Sequence, residues 1–274
     1  MNRLRFAATA AAGLLASVAL TSVAHATVID LTLNATYYSV ADSATGRDPD
    51  FGAATPETPT VGNGLVDVGG VELPVAERVG GSFKISDVYT HAGDDAIEWW
   101  DPALDTHVKA LAASTQNPST ITIGALGYDN TDMFPSNSHT GTTGHFVYND
   151  TSDFLTAVFS GTFTTTSNGT ITFTLASDDD SLVYIDGKLI GSDLGVHGVG
   201  APVTFTTGVL KAGSQTIDIY YADRAQTQAA LDLGSFNFTK VLPEPSEWAL
   251  MLLGVGAVGA AARSRRRRSA SLTA

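Results

Sequence analysis

FTTTSNGTITFTLASDDDSLVYIDGKLIG, residues 163–191, decides the fold class. Apolar and polar residues alternate on both sides of Asn168-Gly169, and a second pair of strand-like segments flanks Asp186-Gly187. Both dipeptides accept the positive φ angles of a two-residue type I′ turn, so two hairpins are predicted. Working outward, VIDLTLNATYY places Ile29, Leu31, Leu33, Ala35 and Tyr37 opposite Asp30, Thr32, Asn34 and Thr36, the period of two of a half-buried strand. TIDIYY sets Ile217, Ile219 and Tyr221 against Thr216, Asp218 and Tyr220, and LDLGSFNF closes the pattern with a bulge expected at Gly234. Residues 41–75, rich in Gly, Pro, Asp and Thr, read as a long loop region with short strands. Between residues 94 and 113 the pattern changes. Asp101 followed by Pro102 is a helix start, and Leu104, His107, Val108 and Leu111 then share one face, which makes His107 a face residue. Many short strands with frequent turns and one short helix specify an all-β fold, an antiparallel, jelly-roll-like β-sandwich.

The two ends differ from this middle. MNRLRFAATAAAGLLASVALTSVAHA, residues 1–26, has Arg3 and Arg5 before an apolar run and Ala24-His25-Ala26 as a small-x-small cleavage site, the layout of a secretory signal peptide. Residues 241–274 carry Pro243, Glu244 and Pro245, an apolar segment from Trp248 to Ala262, and then Arg263, Arg265, Arg266, Arg267 and Arg268. The apolar segment is slightly short for a bilayer crossing of about 20 residues, and the arginines favour the cytoplasmic side. This order resembles the PEP-CTERM sorting signal of Gram-negative bacteria. That resemblance implies recognition by exosortase, transient membrane insertion, processing near Pro243 to Pro245, and release or attachment at the cell surface or in the extracellular matrix.

Residues 27–240 are expected to form a single domain. They keep 26 of the 28 acidic residues but only 8 of the 15 basic ones, a net charge of −18. So acidic a surface argues against nucleic acid or anionic lipid as a partner, because both are recognised by clustered Lys and Arg. The chain has no cysteine, so its stability comes from the core, from metal, or from both.

Asp178, Asp179 and Asp180 stand beside the Asp186-Gly187 turn. Three adjacent carboxylates repel one another unless water screens them or a cation sits among them. A solvated acidic turn and a metal loop both satisfy that demand. FTLASDDDSLVYIDGKLIGSDLGVHG, followed by VTFTTGVLKAGSQTIDIYYADRA, resembles the fibro-slime domain. Asp48-Pro49-Asp50-Phe51, Gly64-Leu65-Val66 and Met133-Phe134-Pro135 stand upstream in that family's order. Departures are Val196 in place of a second glycine, Asp223 in place of glutamate, and the approximate match at His145-Phe146-Val147. The pattern is in turn similar to the protective-antigen-type carbohydrate-binding sandwich. The resemblance implies a Ca²⁺ ion held by Asp178 and Asp179, with Asp180 and Asp193 as further candidates and His197 at the same edge as a ligand contact. Asp186 is explained by its turn alone, and Arg224 is expected to pair with an acidic loop residue. Trp99 or Trp100 offers a flat face on which a sugar ring could stack; adjacent strand residues point to opposite faces, so one of them serves and the other is core.

Three functions compete. The first is a non-catalytic, calcium-dependent module that binds extracellular polysaccharide and mediates adhesion. The second is a structural matrix protein that self-associates without sugar or metal. The third is a glycosidase, for which Glu57, Glu72, Glu77 and Glu98 are available but stand in no recognisable catalytic motif. There is also no nucleophile elbow, no His-Glu-x-x-His and no phosphate loop, so the chain is expected not to be an enzyme.

Overall fold

A computed structural model describes residues 26–41, 50–52, 58–77, 93, 95–113, 118–129, 153–225, 229–241, 252–259, 261 and 263. His25–Pro243 forms one compact unit. In the other unit residues 252–259 are helical, and among the described residues no helix is long and apolar enough to cross a membrane. Residues 1–25 of the signal segment lie outside the described residues, as do Pro243, Glu244, Pro245, Met133-Phe134-Pro135 and His145-Phe146-Val147.

The described strands, numbered in chain order, are β1 (Ala26–Ile29), β2 (Leu31–Ala41), β3 (Val61–Val68), β4 (Val71–Ala76), β5 (Val108–Ala110), β6 (Thr120–Ile123), β7 (Tyr128–Asp129), β8 (Asp153–Thr165), β9 (Gly169–Asp178), β10 (Asp180–Ile185), β11 (Lys188–Asp193), β12 (Val203–Thr206), β13 (Gly213–Ala222), β14 (Ala230–Leu233) and β15 (Phe236–Lys240). They form two antiparallel sheets, a β-sandwich. The larger runs β4-β3-β11-β10-β13-β8-β2-β5, with β6 also on β2; the smaller runs β1-β15-β9-β14-β7, with β12 on the other edge of β9.

Alternation decides which side chains enter the interior. Leu31, Leu33 and Tyr37 of β2, Phe159 of β8, and Ile217, Ile219 and Tyr221 of β13 meet Ile171, Phe173, Leu175, Leu231, Leu233 and Phe236 of the smaller sheet. Phe173 stacks on Phe236 with ring centroids 4.6 Å apart. The larger sheet is buried on its other face too. Val40, Phe154, Leu182, Tyr184 and Tyr220 there are covered by Phe51, Leu73, Ala96, Ile97, Trp99 and Trp100. At about 25 cal/mol per Å² of apolar area, this double coverage lets a chain without disulfides rest on its core.

The Asp186-Gly187 hairpin forms as predicted, with φ of 50° and 69° and Ile185 facing Lys188. The Asn168-Gly169 hairpin does not form. β8 pairs with β2 and β13, whereas β9 pairs with β12, β14 and β15, so residues 166–168 carry the chain from one sheet to the other. Gly169 is there for space: a Cβ would come within 2.3 Å of Phe238. The bulge at Gly234 is present, because three residues between Leu233 and Asn237 face two between Leu175 and Thr172, and a Cβ on Gly234 would strike Thr174 Oγ1. Inside the expected loop region, β3 and β4 form a hairpin over Gly69-Gly70, both at positive φ.

The helix expected between residues 94 and 113 is replaced by turns. Asp101 starts one turn, its carboxylate accepting from Ala103 N at 2.8 Å, but Asp105 repeats the motif on His107 N at 2.8 Å. The chain then pairs Val108 with Val40 as β5. Sheet pairing overrides the weak helical pattern.

On the covered face of β13, burial and then the charge of Glu72 push Asp218 from 3.8 to about 6. A carboxyl whose folded pKa exceeds its unfolded value favours folding at low pH, and that contribution is lost as pH rises through about 4 to 6. Asp218→Asn should therefore stabilise the chain by about 1 kcal/mol at pH 7, after discounting for partial exposure, and leave it unchanged at pH 3.5. Urea denaturation at the two pH values checks this; equal effects at both would refute it.

Candidate functional site

The three aspartates are buried. Asp178, Asp179 and Asp180 are exposed by 3%, 0% and 1%, which excludes the solvated acidic turn. They sit where β9 of the smaller sheet passes into β10 of the larger, so the fold, not water, surrounds them. The Asp178–Asp179 peptide bond is cis. Ser177 Oγ donates to Asp179 O at 2.5 Å and meets Ser181 Oγ at 2.7 Å, and Tyr221 Oη donates to the Asp178 carbonyl.

Each carboxylate has a different setting. Asp180, expected among the metal ligands, is instead committed to the protein: Oδ2 accepts from Arg224 Nη1 at 3.0 Å and Oδ1 from Gly195 N at 2.6 Å. Arg224 thus pairs with an acidic residue, as expected, but one at the start of β10 rather than in a loop, at 1% exposure on both sides. Asp179 accepts three backbone N–H groups, from His197 at 2.9 Å on Oδ1 and from Arg224 at 2.7 Å and Ala225 at 2.8 Å on Oδ2. Burial pushes its pKa up while those N–H groups and the Arg224 charge pull it down.

Asp178 has no such support. Among the described residues no N–H and no guanidinium donates to its carboxylate. Burial, then the charge of Asp179 and a hydrogen bond with the Asp179 carboxyl, raise it to about 7, opposed by His197. Two buried carboxylates that raise one another's pKa in this way favour a proton or a cation beside them. Arg224 balances Asp180, so the pair is left with the charge that one divalent cation would neutralise. The donor set fits a hard cation that prefers oxygen. Among the described residues no three His, Asp or Glu side chains converge as a metal cage.

Asp193 and His197 do come to this edge. Asp193 Oδ2 accepts from Ser177 N at 3.0 Å, and its Oδ1 lies 3.2 Å from His197 Nε2. Both remain partly exposed, at 26% and 33%, so they form the rim. Trp99 does not belong here as a stacking face. Both tryptophans are 1% exposed, because residues 99–100 form a turn under the larger sheet rather than a strand that splits them between faces. Trp99 Nε1 donates to Asp50 Oδ2 at 3.1 Å, and Trp100 Nε1 to Tyr221 O at 2.8 Å. Asp50 and Tyr221 stand in stretches that the family resemblance covers, but their roles as supports for the tryptophans depend on contacts across the fold, which local pattern does not carry. Of the glutamates, Glu98 is buried, Glu72 and Glu77 are exposed, and Glu57 lies outside the described residues.

Residues 109–243 match the PA14 domain model. The matched stretch contains the three aspartates, Asp193, His197 and Arg224, while Asp50 and Trp99 lie before it. No curated protein sequence matches the chain. Among solved structures, the chain is similar to the PA14 sugar-binding domain of an RTX adhesin, at 17% identity over 43% of this chain and 69% of that one, TM-score 0.29. It is similar to the epithelial adhesin 6 A domain of Candida glabrata in complex with Galβ1-3GlcNAc, at 12% identity over 78% and 80%, TM-score 0.31. It is also similar to a β-glucosidase of Kluyveromyces marxianus, at 16% identity and TM-score 0.26, but over 34% of this chain and only 12% of that enzyme.

Proposed function

We propose that this chain is an exported, non-catalytic carbohydrate-binding or adhesion protein in which Asp178 and Asp179 hold Ca²⁺ at the edge of the sandwich. The observation that carries this is the buried pair of adjacent carboxylates, one of them with no N–H or guanidinium donor among the described residues, inside the stretch that matches the PA14 model. Ca²⁺ takes six to eight oxygen ligands. When bound, it would offer open coordination positions to sugar hydroxyls. Asp178 and Asp179 would supply carboxylate oxygens, Asp180 and Arg224 would hold the loop, and Asp193 and His197 would line the rim facing an extracellular polysaccharide. The signal-like segment 1–26 and the tail with Pro243, Glu244 and Pro245 support export, exosortase processing and a cell-surface or matrix location in a Gram-negative bacterium.

Thermal unfolding of the chain in EDTA and in millimolar Ca²⁺, beside the Asp178→Asn/Asp179→Asn double variant, tests the cation. A ligand at one hundred times its Kd stabilises by about 2.7 kcal/mol, a rise of about 5–10 °C in a domain of this size. The double variant should lose the rise, and Asp178→Asn alone should in EDTA be at least as stable as wild type, because the carboxylate repulsion is gone while the N–H bonds to Asp179 are kept. Calcium-dependent retention on immobilised polysaccharide then tests the ligand. No thermal shift, with self-association in the absence of sugar, would instead support the structural matrix role.

A further inference from the structure

Arg224 does more than pair with Asp180. Its backbone N–H holds Asp179 Oδ2, its Nη1 holds Asp180 Oδ2, and its Nε donates to Asp50 O at 2.9 Å. Its carbonyl accepts from Gly52 N at 2.8 Å, and its guanidinium carbon lies 4.8 Å from the centroid of the Trp99 ring. Trp99 in turn fixes Asp50 through Nε1, and its own carbonyl accepts from Thr156 Oγ1 of β8 at 2.9 Å. A continuous chain of contacts therefore runs from the covered face of the larger sheet, through Trp99 and Asp50, to the N–H groups that orient Asp179.

We infer that Arg224, braced by Trp99 and Asp50, is a positioning residue that sets the cation affinity of the Asp178–Asp179 pair. This rests on the calcium reading above. The warrant is geometric. An ion's oxygen ligands must be placed to within a few tenths of an ångström, and Asp179 takes its orientation from the 223–225 turn, whose Arg224 side chain ties it to Asp180 and to the segment at Asp50. Groups that orient ligands in this way typically change metal affinity by about 10–100-fold when altered. Lysine cannot replace the planar fork: a compact ammonium keeps the charge but cannot serve Asp180 and the Asp50 carbonyl from two directions.

Calorimetric titration of the full chain with Ca²⁺, well below each variant's unfolding midpoint, tests the inference. Arg224→Lys should weaken binding by about tenfold or more, and Trp99→Phe, which keeps a ring but removes the bond to Asp50, by a smaller factor of about three. Phe236→Leu, in the interior between the sheets and away from this network, should lower the midpoint and leave the affinity unchanged. If Arg224→Lys does not fold, Trp99→Phe decides the matter. Wild-type binding with unchanged affinity in the folded variants, whatever their midpoints, would overturn the brace and leave the calcium reading standing. No binding by wild type would overturn both.

Discussion

Arg224→Ala should cost about 3–5 kcal/mol of folding stability, a large share of the 5–15 kcal/mol that domains typically have. Asp180 is 1% exposed and among the described residues meets the guanidinium of Arg224 and the N–H of Gly195, so removing the guanidinium leaves among them a buried carboxylate balanced by that N–H alone. The substitution also strips the cation from the Trp99 ring and the donor from Asp50 O. Urea denaturation of the chain measures the loss. Asp180→Asn in the same molecule should recover part of it, because an amide without a partner costs less to bury than a charge. If Arg224→Ala cost under about 1 kcal/mol, the pair would behave as a surface ion pair, and the burial assigned to the aspartate loop would be wrong.

The second large effect is expected at Trp100. Its ring lies fully buried beneath β13, with centroids 5.1 Å from Tyr220 and 5.4 Å from Trp99, and Nε1 reaches Tyr221 O at 2.8 Å. Truncation to alanine removes the anchor of the layer covering the outer face of the larger sheet, and substitutions of this kind cost about 3–5 kcal/mol. Trp100→Phe keeps most of the volume and loses the hydrogen bond, so it should cost only about 1–2 kcal/mol. Comparing the two by chemical denaturation separates packing from hydrogen bonding. A small loss for both would show that the covering segment contributes little to the folded state.

The network around the aspartates also explains why a strongly acidic chain buries three adjacent acids. Two are paid for locally, by an arginine and by backbone N–H groups. The third is left beside its neighbour's charge, which costs stability in the absence of a counter-ion. Such unrelieved contact is where a ligand gains the most differential binding, and it makes the Asp178–Asp179 pair the part of the domain whose stability should respond most to calcium.

What the sequence by itself determined is local. The alternation of Leu31, Leu33 and Tyr37 and of Ile217, Ile219 and Tyr221 names the interior faces, because side chains alternate along any strand whatever its partner. Asp186-Gly187 forms its hairpin because the positive φ is a property of those two residues. The extra residue at Gly234 was legible for a similar reason. Asn168-Gly169 was not, since a dipeptide that suits a turn does not say whether the next strand returns to the same sheet, and β9 finds its partners in β12, β14 and β15, far along the chain. The same limit applies to the site. Three consecutive carboxylates are visible in sequence, but which is neutralised depends on Gly195, His197 and Arg224 arriving from two other loops. Adjacent tryptophans suggest opposite faces only if their backbone is extended, and here it turns. Strand identity follows from neighbours in sequence; burial and charge pairing follow from neighbours in space, and only the tertiary structure supplies those.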